Sequence, residues 1–167
     1  MEQSILGKIW APWRIGYILG NKKDSCVFCD KANDSRENDR KNLILERGKS
    51  SFVLMNTFPY NPGHLLVCPY DHVANPEDLP EETHLEMLRL TIKWKKRLAD
   101  VVQAHGFNLG INLGSLAGAG IAEHIHAHIV PRWQGDTNFM TTVSETRVLS
   151  QSLDELYEKL INYKEEK

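Results

Sequence analysis

Residues 124–130 read His-Ile-His-Ala-His-Ile-Val, a strict alternation of imidazole and apolar side chains. In an extended strand successive side chains point to opposite faces. His124, His126 and His128 then share one face, while Ile125, Ala127 and Ile129 turn into a core. On a helix, steps of two residues would scatter the rings by ~200° each, and no common site would form. The stretch predicts a strand that is apolar on one side and chemically equipped on the other. Three imidazoles on one face suit either of two chemistries: a metal held by nitrogens, or a nucleophile flanked by helpers.

The remaining pattern supplies a frame for that strand. Apolar runs at 42–49 and 51–56, separated by Gly48-Lys49-Ser50, read as a hairpin, and 64–69 reads as a third strand after the turn-rich 59–63. Pro80-Glu81-Glu82 opens a helix with the stripe Met87, Leu90, Trp94, Leu98 and Val101, and Gly106 is expected to end it. Residues 107–114 and 125–131 are two further strands, joined by a segment that begins with the small-residue loop 115–120. Ser152, three residues before Glu155, fits a capping box opening a last helix with Leu153, Leu156, Leu160 and Tyr163 on one face. Strands and helices are segregated, which predicts an α+β fold with an antiparallel sheet. Residues 21–41 are polar and read as a surface excursion around a local anchor at 26–29.

With 167 residues, the chain fits one domain, 1–167, in which 1–41 is an N-terminal extension carrying a cysteine pair. Twenty Lys and Arg against 22 Asp and Glu argue against a basic nucleic-acid-binding surface. No apolar run approaches a membrane span, and the first residues lack a signal-peptide pattern, so a soluble cytoplasmic protein is expected. Three cysteines are too few for a disulfide scaffold, which leaves Cys26-Val27-Phe28-Cys29 as metal-binding or redox-active. Thioredoxin-like chemistry would want the pair at a helix start after a strand, which its polar surroundings do not suggest. Cys68 reads as a core thiol, and His84 and His105 as helix-surface or helix-end residues without a role.

His-x-His-x-His followed by two apolar residues is the signature of the histidine triad superfamily, which this chain resembles. The likeness extends to Asn56-Thr57-Phe58-Pro59-Tyr60-Asn61-Pro62-Gly63-His64 and to residues 106–140. Trp10-Ala11-Pro12-Trp13-Arg14, Pro131-Arg132-Trp133 and Gly135-Asp136-Thr137-Asn138-Phe139 resemble a bacterial branch similar to diadenosine tetraphosphate phosphorylases. The resemblance implies an antiparallel sheet of about five strands, a long central helix and a C-terminal helix. It also implies that His126 is the nucleophile, His128 the phosphate-side helper and His64 a support from the neighbouring strand. Asn112 would contact phosphate, Asn56 the ribose hydroxyls, and Phe28 and Leu54 the base. Gly118 and Gly120 fall in the expected phosphate loop. The family's Gly-Gln-Ser/Thr pattern is Gly118-Ala119-Gly120-Ile121 here, so the glutamine's role has no counterpart.

Zinc-containing members of the superfamily complete a Cys-x-x-Cys pair with two histidines, which carries over to a structural zinc on Cys26, Cys29, His72 and His124, with no organic cofactor. The activity implied is cleavage of an adenine dinucleoside polyphosphate through a nucleotidyl-histidine, with inorganic phosphate or water as acceptor and a homodimer as the assembly. A nucleoside phosphoramidase and a nucleotide-binding protein with little turnover are the alternatives.

Overall fold

The structure, a computed structural model, describes residues 25–136 and 151–164. Trp10 to Arg14 and Thr137 to Phe139, which carry part of the branch resemblance, lie outside the described residues. Helices α1 (Val27–Asn33) and α2 (Asp39–Asn42) flank a 3-10 turn at Arg36–Asn38. Strands β1 (Ile44–Arg47), β2 (Ser51–Met55) and β3 (Leu65–Pro69) follow, then the long α3 (Glu81–Val102). Strands β4 (Gly106–Ile111) and β5 (Ala127–Arg132) and helix α4 (Leu153–Ile161) complete the fold. The sheet order is β1-β2-β3-β5-β4, and every neighbouring pair is antiparallel, so the α+β expectation holds.

β2 and β3 are buried along their whole length, because the sheet is covered on both faces. Val53, Met55, Leu65 and Val67 pack with Met87, Leu90, Trp94 and Leu98 of α3 and with Leu156 and Leu160 of α4. The alternate residues Phe52, Leu54, Leu66 and Cys68 pack instead with Phe28 of α1. Cys68 is a fully buried core thiol. Trp94 is 1% exposed and its indole N–H donates to Glu46 at 2.7 Å, so it belongs to the core.

Three boundaries differ from the sequence reading. The polar stretch expected as a surface excursion forms α1 and α2. Arg47 draws them onto the sheet by donating to the carbonyls of Lys31, Ala32 and Asp34 and to the Asp39 carboxylate. Helix α3 stops before Gly106: Gln103 takes the left-handed cap at φ 51°, and Gly106 opens β4. Pairing in β5 begins only at Ala127, opposite Val67 of β3 and Ile111, the last residue of β4. Ahead of it, the Ile125 N–H donates to the Val73 carbonyl at 2.7 Å. At the last helix the capping expectation is met, with Ser152 Oγ accepting from the Glu155 N–H at 3.2 Å.

Candidate active site and metal centre

The turn at residues 59–63 delivers His64 to the start of β3. Gly63 sits there at φ +79°, and a Cβ would lie 3.1 Å from Leu98 and 3.2 Å from Pro131, so shape and backbone both require glycine. His64 is 1% exposed. Its Nδ1 accepts from the Tyr60 N–H at 3.1 Å, with the Asn56 side-chain amide 3.2 Å away. A backbone N–H can only donate, so a neutral His64 carries its proton on Nε2. That nitrogen lies 2.8 Å from His128 Nδ1 and donates to it, which places the His128 proton on Nε2. The His128 Nε2–H is buried and has no hydrogen-bond partner among the described residues. An orphaned buried donor of this kind marks a place where a ligand oxygen belongs.

His126 is set by a shorter path. Its Nδ1–H donates to the His124 carbonyl at 2.8 Å, which leaves the Nε2 lone pair unprotonated in the neutral ring. Burial holds the pKa of His126 below the ordinary histidine value, so the ring is neutral near pH 7. The Phe28 ring lies against it, centroids 5.0 Å apart.

Desolvation first, then the neighbouring imidazoles, pushes His64 down to about 3, and burial with the His126 charge pushes His128 down to about 4. In the unfolded chain both return to about 6.5, so the unfolded state takes up protons first as pH falls. Their contribution to stability is present above pH 6.5 and is lost toward pH 4. In denaturant unfolding at stepped pH, His64→Gln is expected to reduce the slope of stability between pH 6.5 and 5 by up to ~1.4 kcal/mol per pH unit. An identical slope in both proteins would show that His64 is not held neutral.

Both rings open on a cavity of about 530 Å³ on the α1 side of the sheet, lined by Phe28, Lys31, Leu54, Asn56, Tyr60 and Gly120 as well as His126 and His128. Tyr60 and His128 also line a second cavity of about 510 Å³ with Asn112, Asn108 and Arg132. The expected residues therefore divide. Phe28, Leu54, Asn56 and Gly120 meet the two histidines directly, and Asn112 lies across His128 in the adjoining space. His64 stands behind His128, and Gly118 lines neither cavity. Tyr60 and Lys31 had no role in the sequence reading. Tyr60 sat unremarked inside the 56–64 motif, and Lys31 gave no signal in a segment read as surface.

The cysteine pair stands at a helix start after all: Cys26 is the N-cap of α1, and Cys29 lies in its first turn. Its surroundings nevertheless favour a metal, because His72 and His124 face it. His72 Nδ1 and His124 Nδ1 are 3.3 Å apart, and Sγ to Nδ1 distances are 3.4 Å for Cys26–His124 and Cys29–His72 and 3.5 Å for Cys29–His124. A tetrahedron with bonds of ~2.3 Å to sulfur and ~2.05 Å to nitrogen has N···N edges of ~3.3 Å and S···N edges of ~3.5 Å. The four residues thus fit a closed zinc site, and all three cysteines of the chain are free thiols. His124 Nε2 lies 3.0 Å from the Pro69 carbonyl and donates to it, which turns Nδ1 toward the cluster.

An imidazole with an unprotonated Nε2 beside an imidazole whose Nε2–H is unpartnered, both lining one cavity, is an arrangement equipped for nucleophilic group transfer. The HIT domain model matches residues 36–135, and the chain belongs to the HIT family. It is 39% identical over 158 residues, 91% of this chain and 81% of the relative, to the AP-4-A phosphorylase of Mycobacterium tuberculosis (strain ATCC 25618 / H37Rv). It is 35% identical over 103 residues, 58% of this chain and 64% of the relative, to the bis(5'-adenosyl)-triphosphatase of Dictyostelium discoideum. Among solved structures, a Zn-bound histidine triad family protein from Mycobacterium smegmatis superposes with a TM-score of 0.64 at 26% identity, covering 82% of this chain and 91% of that one. Over most of its length, then, the chain resembles nucleotide-processing enzymes. Among the described residues no helix is long and apolar enough to cross a membrane.

Proposed function

We propose that the protein cleaves dinucleoside polyphosphates, diadenosine tetraphosphate among them, by transferring a nucleotidyl group through His126. The observation that carries this reading is the buried, unpartnered Nε2–H of His128 beside the free Nε2 of His126. The names of the phosphorylase and triphosphatase relatives support the substrate class. His126 Nε2 attacks the α-phosphorus, a P–N bond forms, and the P–O bond to the leaving nucleoside polyphosphate breaks. His128 Nε2–H hydrogen-bonds the oxygen that gains charge. A phosphate oxygen then displaces His126, regenerating the imidazole and releasing a nucleoside diphosphate. In this reading Phe28 and Leu54 hold the base and Asn56 the ribose, while Asn112 and the Gly118–Gly120 loop serve the phosphates.

With diadenosine tetraphosphate, chromatography of the products should show ADP and ATP formed only when inorganic phosphate is present. AMP and ATP at the same rate with or without phosphate would make water the acceptor and the enzyme a hydrolase. Absence of all of these products would overturn the polyphosphate reading and turn attention to adenosine phosphoramidate.

The same reading includes a structural zinc on Cys26, Cys29, His72 and His124, supported by the tetrahedral spacing and by the Zn-bound neighbour. A reduced cysteine pair with that role suits a reducing compartment such as the cytoplasm. It also includes a chain folded as one domain that pairs as a homodimer. The edge position of β4, with Leu109, Ile111 and Leu113 exposed, and the exposed Leu88 and Ile92 of α3 support the pairing.

A further inference from the structure

Lys31 is a charged side chain that neither the phosphate chemistry nor the metal cluster uses. It lies one helical turn beyond Phe28 on α1, farther along the helix from the cysteine cluster and the triad, and it lines the same cavity as His126. Among the described residues lining that cavity it is the only one with a formal charge at neutral pH. Phe28, Leu54 and Leu66, which belong to a buried apolar cluster, line the cavity with it, and Lys31 itself is half-buried. Its Nζ donates to the Asn42 carbonyl at 2.7 Å and makes no other hydrogen bond or ion pair among the described residues. An ammonium has three N–H donors, so two remain for a ligand.

We propose that Lys31 reads the nucleobase, and that the cavity takes guanine nucleotides in preference to adenine nucleotides. The inference rests on the reading of this cavity as the nucleoside site. Purine edges differ where a cation can feel it. Guanine presents O6 and N7 as adjacent acceptors, whereas adenine presents N7 beside the N6 amine, itself a donor. Two free N–H groups of a partly desolvated ammonium match the guanine edge. Set against adenine, one of them faces another donor and loses its hydrogen bond in a place where water is scarce. A dinucleoside tetraphosphate with one guanine and one adenine would accordingly be attacked on its guanylyl side.

Calorimetric titration with GMP and with AMP tests this directly. The intact protein should bind GMP roughly tenfold more tightly, the discrimination expected of one well-placed pair of hydrogen bonds to a base edge. Lys31→Met keeps the length and apolar stem but removes the donors, and should bring the GMP-to-AMP affinity ratio to about one. Lys31→Arg keeps a cation and should keep guanine ahead, which separates lost donors from lost packing. The ratio of kcat/KM for diguanosine and diadenosine tetraphosphates should move with the affinity ratio. Binding of both nucleotides with a ratio that Lys31→Met leaves unchanged overturns the base inference alone. Binding of neither overturns the nucleoside site itself, and the role of Lys31 with it.

Discussion

Replacing His126 with alanine is expected to lower kcat by about 10⁴-fold or more while leaving the protein folded, because the variant removes the nitrogen to which the proposed mechanism assigns the covalent bond. The ring is 6% exposed and its one hydrogen bond runs to the His124 carbonyl, so little of the core depends on it. Nucleotide binding should survive, since the cavity walls at Phe28, Leu54 and Asn56 remain. Acid quenching of the intact enzyme during turnover, followed by mass spectrometry, should show a nucleotidyl adduct that the variant lacks. His128→Ala should behave differently. With His126 still in place the adduct can form, but each step loses a donor to the charged oxygen and slows by about 10²- to 10⁴-fold. Full activity in His126→Ala would sink the mechanism, and equal losses without an adduct in the intact enzyme would point to water attacking directly.

The triad was legible because a period of two is a strong signal over seven residues, and the face it predicts is the face the cavity occupies. Its limit lay in sheet pairing. His124 and His126 precede the paired part of β5, with the Ile125 N–H tied to the Val73 carbonyl instead, and no local pattern announces where β4 ends. The long helix was equally plain from its 3–4 stripe, yet Gly106 was credited with a stop that Gln103 makes. Glycine marks a break in regular structure without saying which side of a loop it serves. Least legible was α1. Its seven residues, Val-Phe-Cys-Asp-Lys-Ala-Asn, show one strongly apolar face residue in Phe28 and depend on distant partners. Arg47 satisfies the carbonyls at the helix end, and the cysteines reach histidines 43 and 98 positions away. Lys31 is illegible for the same reason, because a lysine in a polar stretch becomes a half-buried cavity donor only once that stretch is folded against the sheet.

Removing the metal cluster should have the second large effect, and it should appear in stability before activity. Elemental analysis of the intact protein is expected to find about one zinc per chain, falling to near zero in Cys29→Ser, whose hydroxyl is a poor zinc ligand. A closed site of this kind stabilises only the folded state, so the variant's thermal midpoint should fall by about 10 °C or more, the shift that a loss of several kcal/mol produces in a domain of this size. Chelation of the intact protein should lower the midpoint by a similar amount and leave the variant unmoved. Activity should follow through His124, which belongs to two networks at once. Its ring joins the cluster and donates to Pro69, while its carbonyl holds the Nδ1–H of His126. Losing the metal loosens that carbonyl and, with it, the orientation of the nucleophile, so kcat should drop by about 10- to 100-fold with a smaller change in KM. A protein without zinc, or one that loses it with no change in midpoint, would leave Cys26 and Cys29 as an empty reduced pair. His124 would then be positioned by Pro69 alone.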